Sequence, residues 1–363
     1  MKLKKKNNEE ETLEVLEEPK EKKAKVKKEK KKKKLKLLTK LFILVDIIIV
    51  GCFVFVYGPN EYAKVTWITT AMTTSEFRFL ANVFYDESTI KEVMNNNRME
   101  EIDEETNIED IVIGGKEQIT TYTSIYEKEI LEHDESKPYK LIKFKYKEFN
   151  AYIVAIYDPT RVKAAYNNPM GKGKIVSEIA ANNNALVAIN GGGYTWHNGK
   201  PLGIVVHDGK LVYSTNTNKY TTAVINKDGI LIAGKMTAKE AMAKNAQEAL
   251  SFGPVLIANG KESTFKGNGG SGQNPRTVIA QRQDGVILFL VVDGYPRGLT
   301  FKGRGGVFYQ DLISILKKYG AYNAVNMDGG SSVTLVVEGK LINQPCEPQK
   351  NGQDFVRSAW ILK

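Results

Sequence analysis

Three glycine-rich stretches hold the residues best suited to chemistry: Asn190-Gly191-Gly192-Gly193-Tyr194, the run from Gly267 to Arg276, and Asn326-Met327-Asp328-Gly329-Gly330-Ser331-Ser332. Glycine lets a backbone approach a ligand closely, and successive N–H groups can converge on an anion. Arg276 adds a planar guanidinium that pairs bidentately with phosphate or carboxylate, and the third stretch holds Asp328. The competing reading makes the glycines plain turns.

Several familiar chemistries are disfavoured. Gly267, Gly269 and Gly272 have dinucleotide-loop spacing, but no strand precedes them and Pro275 follows, so the strand–turn–helix context is missing. There is no Gly-x4-Gly-Lys-Ser/Thr phosphate loop and no Gly-x-Ser-x-Gly elbow. His133, His197 and His207 lack partners at metal-ligand spacing and read as structural or surface residues.

The elements that must position these groups are short apolar runs separated by turn signals. Leu141–Tyr146, Tyr152–Tyr157 and Ala185–Ile189 read as strands. Hairpins are expected around Asp208-Gly209, Asp228-Gly229 and Asp284-Gly285. Helices are expected over Ile175–Asn182, Thr237–Asn245 and Val307–Lys318, the last with apolar residues at helical spacing. Val333–Val337, Leu341–Asn343 and Val356–Leu362 close the chain as strands. The fold class is α+β, a mostly antiparallel or mixed sheet with flanking helices, and the first and third glycine clusters fall at strand ends, where binding sites tend to be built.

The net charge of +10 is not spread over this domain. Residues 1–40 hold 17 Lys against 8 Glu, while 35 basic and 34 acidic residues lie beyond them. A nucleic-acid binder needs its cations on the folded surface, so no nucleic-acid partner is expected. Residues 1–36 read as a disordered, Lys-rich cytoplasmic tail. From Leu41 to Tyr57, thirteen residues are Leu, Ile, Val or Phe. At about −0.3 to −0.6 kcal/mol each they outweigh roughly +3 for Asp46, which predicts a transmembrane helix over 37–58. Lysines before the run place the N-terminus in the cytoplasm and the C-terminal part outside, at the cell membrane. Asp86–Met94 reads as a short helix, and residues 59–137 as an extracellular helical or linker stalk. Cys52 and Cys346 cannot staple the outer domain, which begins at 138.

The glycine loops resemble the phosphodiester glycosidase family. The resemblance is carried by Asn190–Tyr194, Ser251-Phe252-Gly253-Pro254, Asn259-Gly260, Pro275-Arg276-Thr277, Asp293-Gly294, Asn326–Ser332 and Arg357, in the family's order over about residues 150–363, with a motif core at 185–363. Ala280 and Met327 stand where the family often has a glycine and a leucine. The N-terminal third looks like the family's bacterial, membrane-anchored, exopolysaccharide-related branch. The resemblance implies hydrolysis of the bond between a sugar's anomeric carbon and a phosphodiester oxygen, with a phosphorylated glycan of the wall or an exopolysaccharide as substrate. It implies Asp328, Asp293 and Arg276 as catalytic groups. Asn190, Gly191, Gly192, Gly193, Asn326, Gly329, Gly330, Ser331, Ser332 and Arg357 would bind substrate. No cofactor is required, with Ca²⁺ or Mg²⁺ on the two aspartates left open. A non-catalytic phosphoglycan binder and a metal-dependent phosphodiesterase remain as alternatives.

Overall fold

Strands such as Ile287–Val292, whose six residues are all apolar, need cover on both faces. The computed structural model supplies it with three antiparallel sheets around one shared core, each carrying a helix on its outer side. The structure describes residues 20–58, 60–73, 78–114, 121–195, 197–215, 218–295, 305–346 and 352–363. They fall into two compact units, residues 1–64 and 65–363.

The first unit is dominated by one helix, Lys20–Tyr57. The tail expected to be disordered is therefore helical from Lys20 onward, and its first 19 residues lie outside the described ones. The expected transmembrane segment at 37–58 is also corrected: among the described residues, no helix is long and apolar enough to cross a membrane. Helix Lys20–Tyr57 opens on a lysine-rich half, and Asp46 interrupts the apolar residues that follow. Membrane attachment through this helix is thus not supported.

In the second unit, a seven-stranded sheet runs Lys261–Glu262, Val255–Ala258, Ala321–Asn326, Arg276–Arg282, Ile287–Val292, Phe149–Ile156, Tyr139–Tyr146. A five-stranded sheet runs Lys210–Ser214, Ile204–His207, Ala246–Ser251, Tyr220–Asn226, Leu231–Met236. The other five-stranded sheet runs Lys340–Leu341, Leu335–Val337, Val187–Asn190, Ser358–Leu362, Val162–Tyr166. Alternation along each strand sorts side chains between layers. Ile279, Phe289, Val325, Ala223, Leu250, Ile189 and Trp360 meet in the shared core. Val278, Leu288 and Leu290 face the opposite way, onto helix Tyr309–Lys318. Ala188 and Ile361 cover helix Val176–Asn182, and Val224 and Ala249 cover helix Ala238–Ala243.

Residues 65–137, expected as a stalk, belong to this same unit. Ile68, Ala71, Ala81, Ile90 and Val93 form a small core of their own among the helices. Further on, Met99–Glu100 pairs with Thr264–Phe265, and Glu101 accepts hydrogen bonds from the Val255 amide and the Thr221 hydroxyl.

Candidate active site

The register of the seven-stranded sheet decides what meets at its end. Arg276 lies opposite Val292 and Val278 opposite Asn326. The segments leaving these strands, Asp293 on one side and Met327–Ser332 on the other, therefore flank Arg276. Just past the last rungs, the Met327 amide donates to Thr277 O (2.8 Å) and the Gly330 amide to Pro275 O (2.9 Å).

Asn190 joins this end to the neighbouring sheet. Fully buried at the end of Val187–Asn190, it donates from Nδ2 to Asp328 O at 2.6 Å. Its Oδ1 accepts from Thr277 Oγ1 at 2.7 Å and from the Thr334 amide at 3.2 Å. The Asp328 amide in turn donates to Gly191 O at 3.1 Å. Buried amides held on both ends fix a single geometry.

The glycines of the first cluster have a packing reason. A Cβ on Gly192 would lie 2.7 Å from Ser251 O, and one on Gly193 2.4 Å from the Phe252 ring. The amides of Gly191 and Gly192 donate to Ser358 O and Ser358 Oγ, both at 3.0 Å. The Gly329 amide donates to Asp328 Oδ1, also at 3.0 Å. These donors, expected at the phosphate, are thus spent inside the protein.

Asp328 is half-buried, and its Oδ2 also accepts from Ser332 Oγ at 2.7 Å. Ser331 Oγ donates to Asp354 Oδ2 at 2.8 Å. Asn326 is fully buried; its Nδ2 donates to Gly253 O and Met327 O, while its Oδ1 has no partner among the described residues.

The two arginines share a design. Arg276, 5% exposed, lies over the Tyr309 ring at 4.1 Å and donates to Val307 O, Ser271 Oγ (2.7 Å) and Gly272 O (2.9 Å). Its Nη1 is turned toward Gly329, whose Cβ position is 3.9 Å away. Arg357 lies over the Tyr194 ring at 4.2 Å and donates to Gly199 O and Phe355 O. Among the described residues neither has a carboxylate within ion-pair distance. Burying a cation without a counter-charge is costly, so the buried Arg276 is shaped to receive an anion.

Asp293 is set apart from Arg276. Its side chain is on the shared-core face with Tyr152, whereas Arg276 is on the Tyr309 face. It is 3% exposed and accepts from Asn343 Nδ2 (2.9 Å), the Gln344 amide (3.1 Å to each oxygen) and Tyr152 OH (3.4 Å). Burial pushes its pKa up to about 6, against the opposing pull of these donors. Glu178 is exposed on its helix and takes no part.

Sequence reasoning missed Thr277, Ser358, Tyr309 and Ser271. Thr277 was readable, since alternation sends it to the face opposite Arg276. Tyr309 becomes a neighbour only through packing. The ring of His207, read from sequence as a structural or surface residue, lies 3.1 Å from buried Glu248 and 3.3 Å from Asp208. This trio is the one group of three ligating side chains among the described residues. Lys163 already supplies a cation there, at 3.1 Å from Asp208 and 3.2 Å from Glu248.

Comparison with known proteins adds the family. Residues 183–362 match the phosphodiester glycosidase family model. The SPbeta prophage-derived protein YomE of Bacillus subtilis is 31% identical over 195 residues, 51% of this chain and 29% of its own length. The N-acetylglucosamine-1-phosphodiester alpha-N-acetylglucosaminidase of Bos taurus is 29% identical over 189 residues, 47% of this chain and 35% of its own length. The chain thus spans about a third of the curated relatives it matches. A zebrafish enzyme of that same name, solved as a catalytic domain auto-inhibited by its pro-peptide, superposes with a TM-score of 0.54 at 22% identity, covering 63% of this chain and 85% of that one. That likeness supports the fold.

Proposed function

Because the chain belongs to the phosphodiester glycosidase family through residues 183–362, we propose that it hydrolyses the glycosidic bond of a sugar-1-phosphodiester in a cell-surface polymer or exopolysaccharide. The observation that carries this reading is Arg276, stacked on Tyr309 and without a carboxylate partner among the described residues, set against the turn that bears the half-buried Asp328. Arg276 takes the phosphodiester oxygens. Asp328, half-buried beside Gly329, accepts a proton from the attacking water. Water oxygen bonds to the anomeric carbon, the C–O bond breaks, and its electron pair leaves on the phosphate. A phosphate monoester is a good leaving group, so no strong acid is needed at that oxygen, unlike ordinary glycoside hydrolysis. Asp293, buried and fully hydrogen-bonded, supports the rim and bears on the protonation of the site.

Hydrolysis of an N-acetylglucosamine-1-phosphodiester in ¹⁸O-water tests this reading. Label in the sugar and none in the phosphate is expected. Label in the phosphate would establish a phosphodiesterase instead, and saturable binding without product a phosphoglycan-binding protein.

A further inference from the structure

The loop that grips Arg276 is itself held from outside the family-matched region. Ser271 Oγ and Gly272 O accept both bonds of the Arg276 Nη2 group. Three positions earlier, the Asn268 amide donates to Asn97 Oδ1 at 3.2 Å, and Asn268 Nδ2 donates to Thr69 Oγ1 at 3.0 Å. Asn268 Oδ1 then accepts the Gly270 amide at 2.9 Å, which closes the turn.

Both anchors are buried, Thr69 at 0% and Asn97 at 8% exposure. Each is also fixed from its own helix: Thr69 donates to Val65 O at 2.8 Å and Asn97 Nδ2 to Val93 O at 2.9 Å. The loop glycines have a reason here. Gly267 and Gly270 sit at positive φ, and a Cβ on them would lie 2.1 Å from Asn97 Oδ1 and 2.5 Å from Asn97 O. On the next segment, the Lys266 amide donates to Arg98 O at 2.8 Å.

We propose that Thr69 and Asn97 are positioning residues of the anion site, which hold the Gly267–Gly272 loop and so fix the Arg276 guanidinium. The segment that reads as a stalk is then part of the catalytic apparatus. The inference rests on the phosphodiester reading and predicts that loosening these helices lowers substrate affinity.

The test uses the full chain and isosteric changes that spare the helices. Thr69→Val removes the hydroxyl at nearly constant volume, and Thr69→Ser restores it. With an N-acetylglucosamine-1-phosphodiester, Thr69→Val is expected to raise KM about tenfold, with Thr69→Ser near wild type. Asn97→Ala should act in the same direction. In an Arg276→Lys background, Thr69→Val should have little further effect, because the group it positions is gone. Hydrogen exchange should show the amides of Asn268 and Gly270 opening in Thr69→Val while the sheet amides stay protected. Glu104→Ala, which removes an exposed ion pair with Lys261, serves as the unaffected control.

A folded Thr69→Val protein with wild-type KM and unchanged loop exchange overturns the inference. So does an equal, additive effect in the Arg276→Lys background. Wild-type protein that neither turns over nor binds the diester sinks the phosphodiester reading itself, a result separable from either of these.

Discussion

Asp293 gives the most quantitative prediction. Its pKa moves from 3.8 to about 6 on folding, because a carboxyl at 3% exposure loses solvation that four donor contacts only partly replace. A folded-state pKa above the unfolded one means the fold holds the proton more tightly. Below pH 3.8 both states are protonated and the group costs nothing. As pH rises from 3.8 to about 6, the unfolded chain ionises first and stability falls. Above that the loss is complete, and a shift of this size corresponds to about 3 kcal/mol. Other carboxylates, such as Glu240 with its pKa lowered, slope the opposite way. The informative quantity is therefore the difference between wild type and Asp293→Asn. Urea unfolding of both proteins from pH 3.5 to 7.5 should show the wild type losing about 3 kcal/mol relative to the variant, almost all of it before pH 6.5. Parallel stability profiles would refute the claim that the buried carboxyl is strained by ionisation.

Three further outcomes follow from the site. Asp328→Asn keeps an acceptor for the Gly329 amide and turns the second position into an NH2 that the Ser332 hydroxyl can accept, so it should fold normally yet lose about 10²–10⁴ in kcat with KM little changed, read in steady-state kinetics. Gly193→Ala drives a methyl to 2.4 Å from the Phe252 ring and should cost about 1–3 kcal/mol, measured as a lowered Tm. Chelation with EDTA should leave turnover unchanged, since Arg276 supplies the positive charge at the phosphate; loss of activity restored by Ca²⁺ or Mg²⁺ would contradict this.

Much of the sheet structure was legible in the sequence. Strands such as Tyr152–Tyr157 and Ala185–Ile189 announced themselves through apolar runs, and they appear as Phe149–Ile156 and Val187–Asn190. Ala246–Ser251 was not expected: Gln247 and Glu248 break its apolar pattern. Glu248 sits there because the Ala164 amide, His207 and Lys163 satisfy it across the fold. Partition into three sheets was illegible for a related reason, since doubly buried strands carry no polar face to mark a sheet's side. At the site, residue types singled out Arg276 and Arg357, which lie at the starts of strands Arg276–Arg282 and Ser358–Leu362. The roles given to the glycine amides did not follow from type. Whether an N–H faces a ligand or Ser358 depends on register, which a single sequence does not display.

The bonds of Asn190 have a further consequence. One amide side chain ties its own strand to Thr277 on the neighbouring sheet and to the loop residues Thr334 and Asp328. The start of the Arg276 strand and the turn that bears Asp328 are therefore gauged against a common ruler and cannot drift apart independently. A change at Asn190 would shift the guanidinium and the carboxylate relative to each other without touching either one.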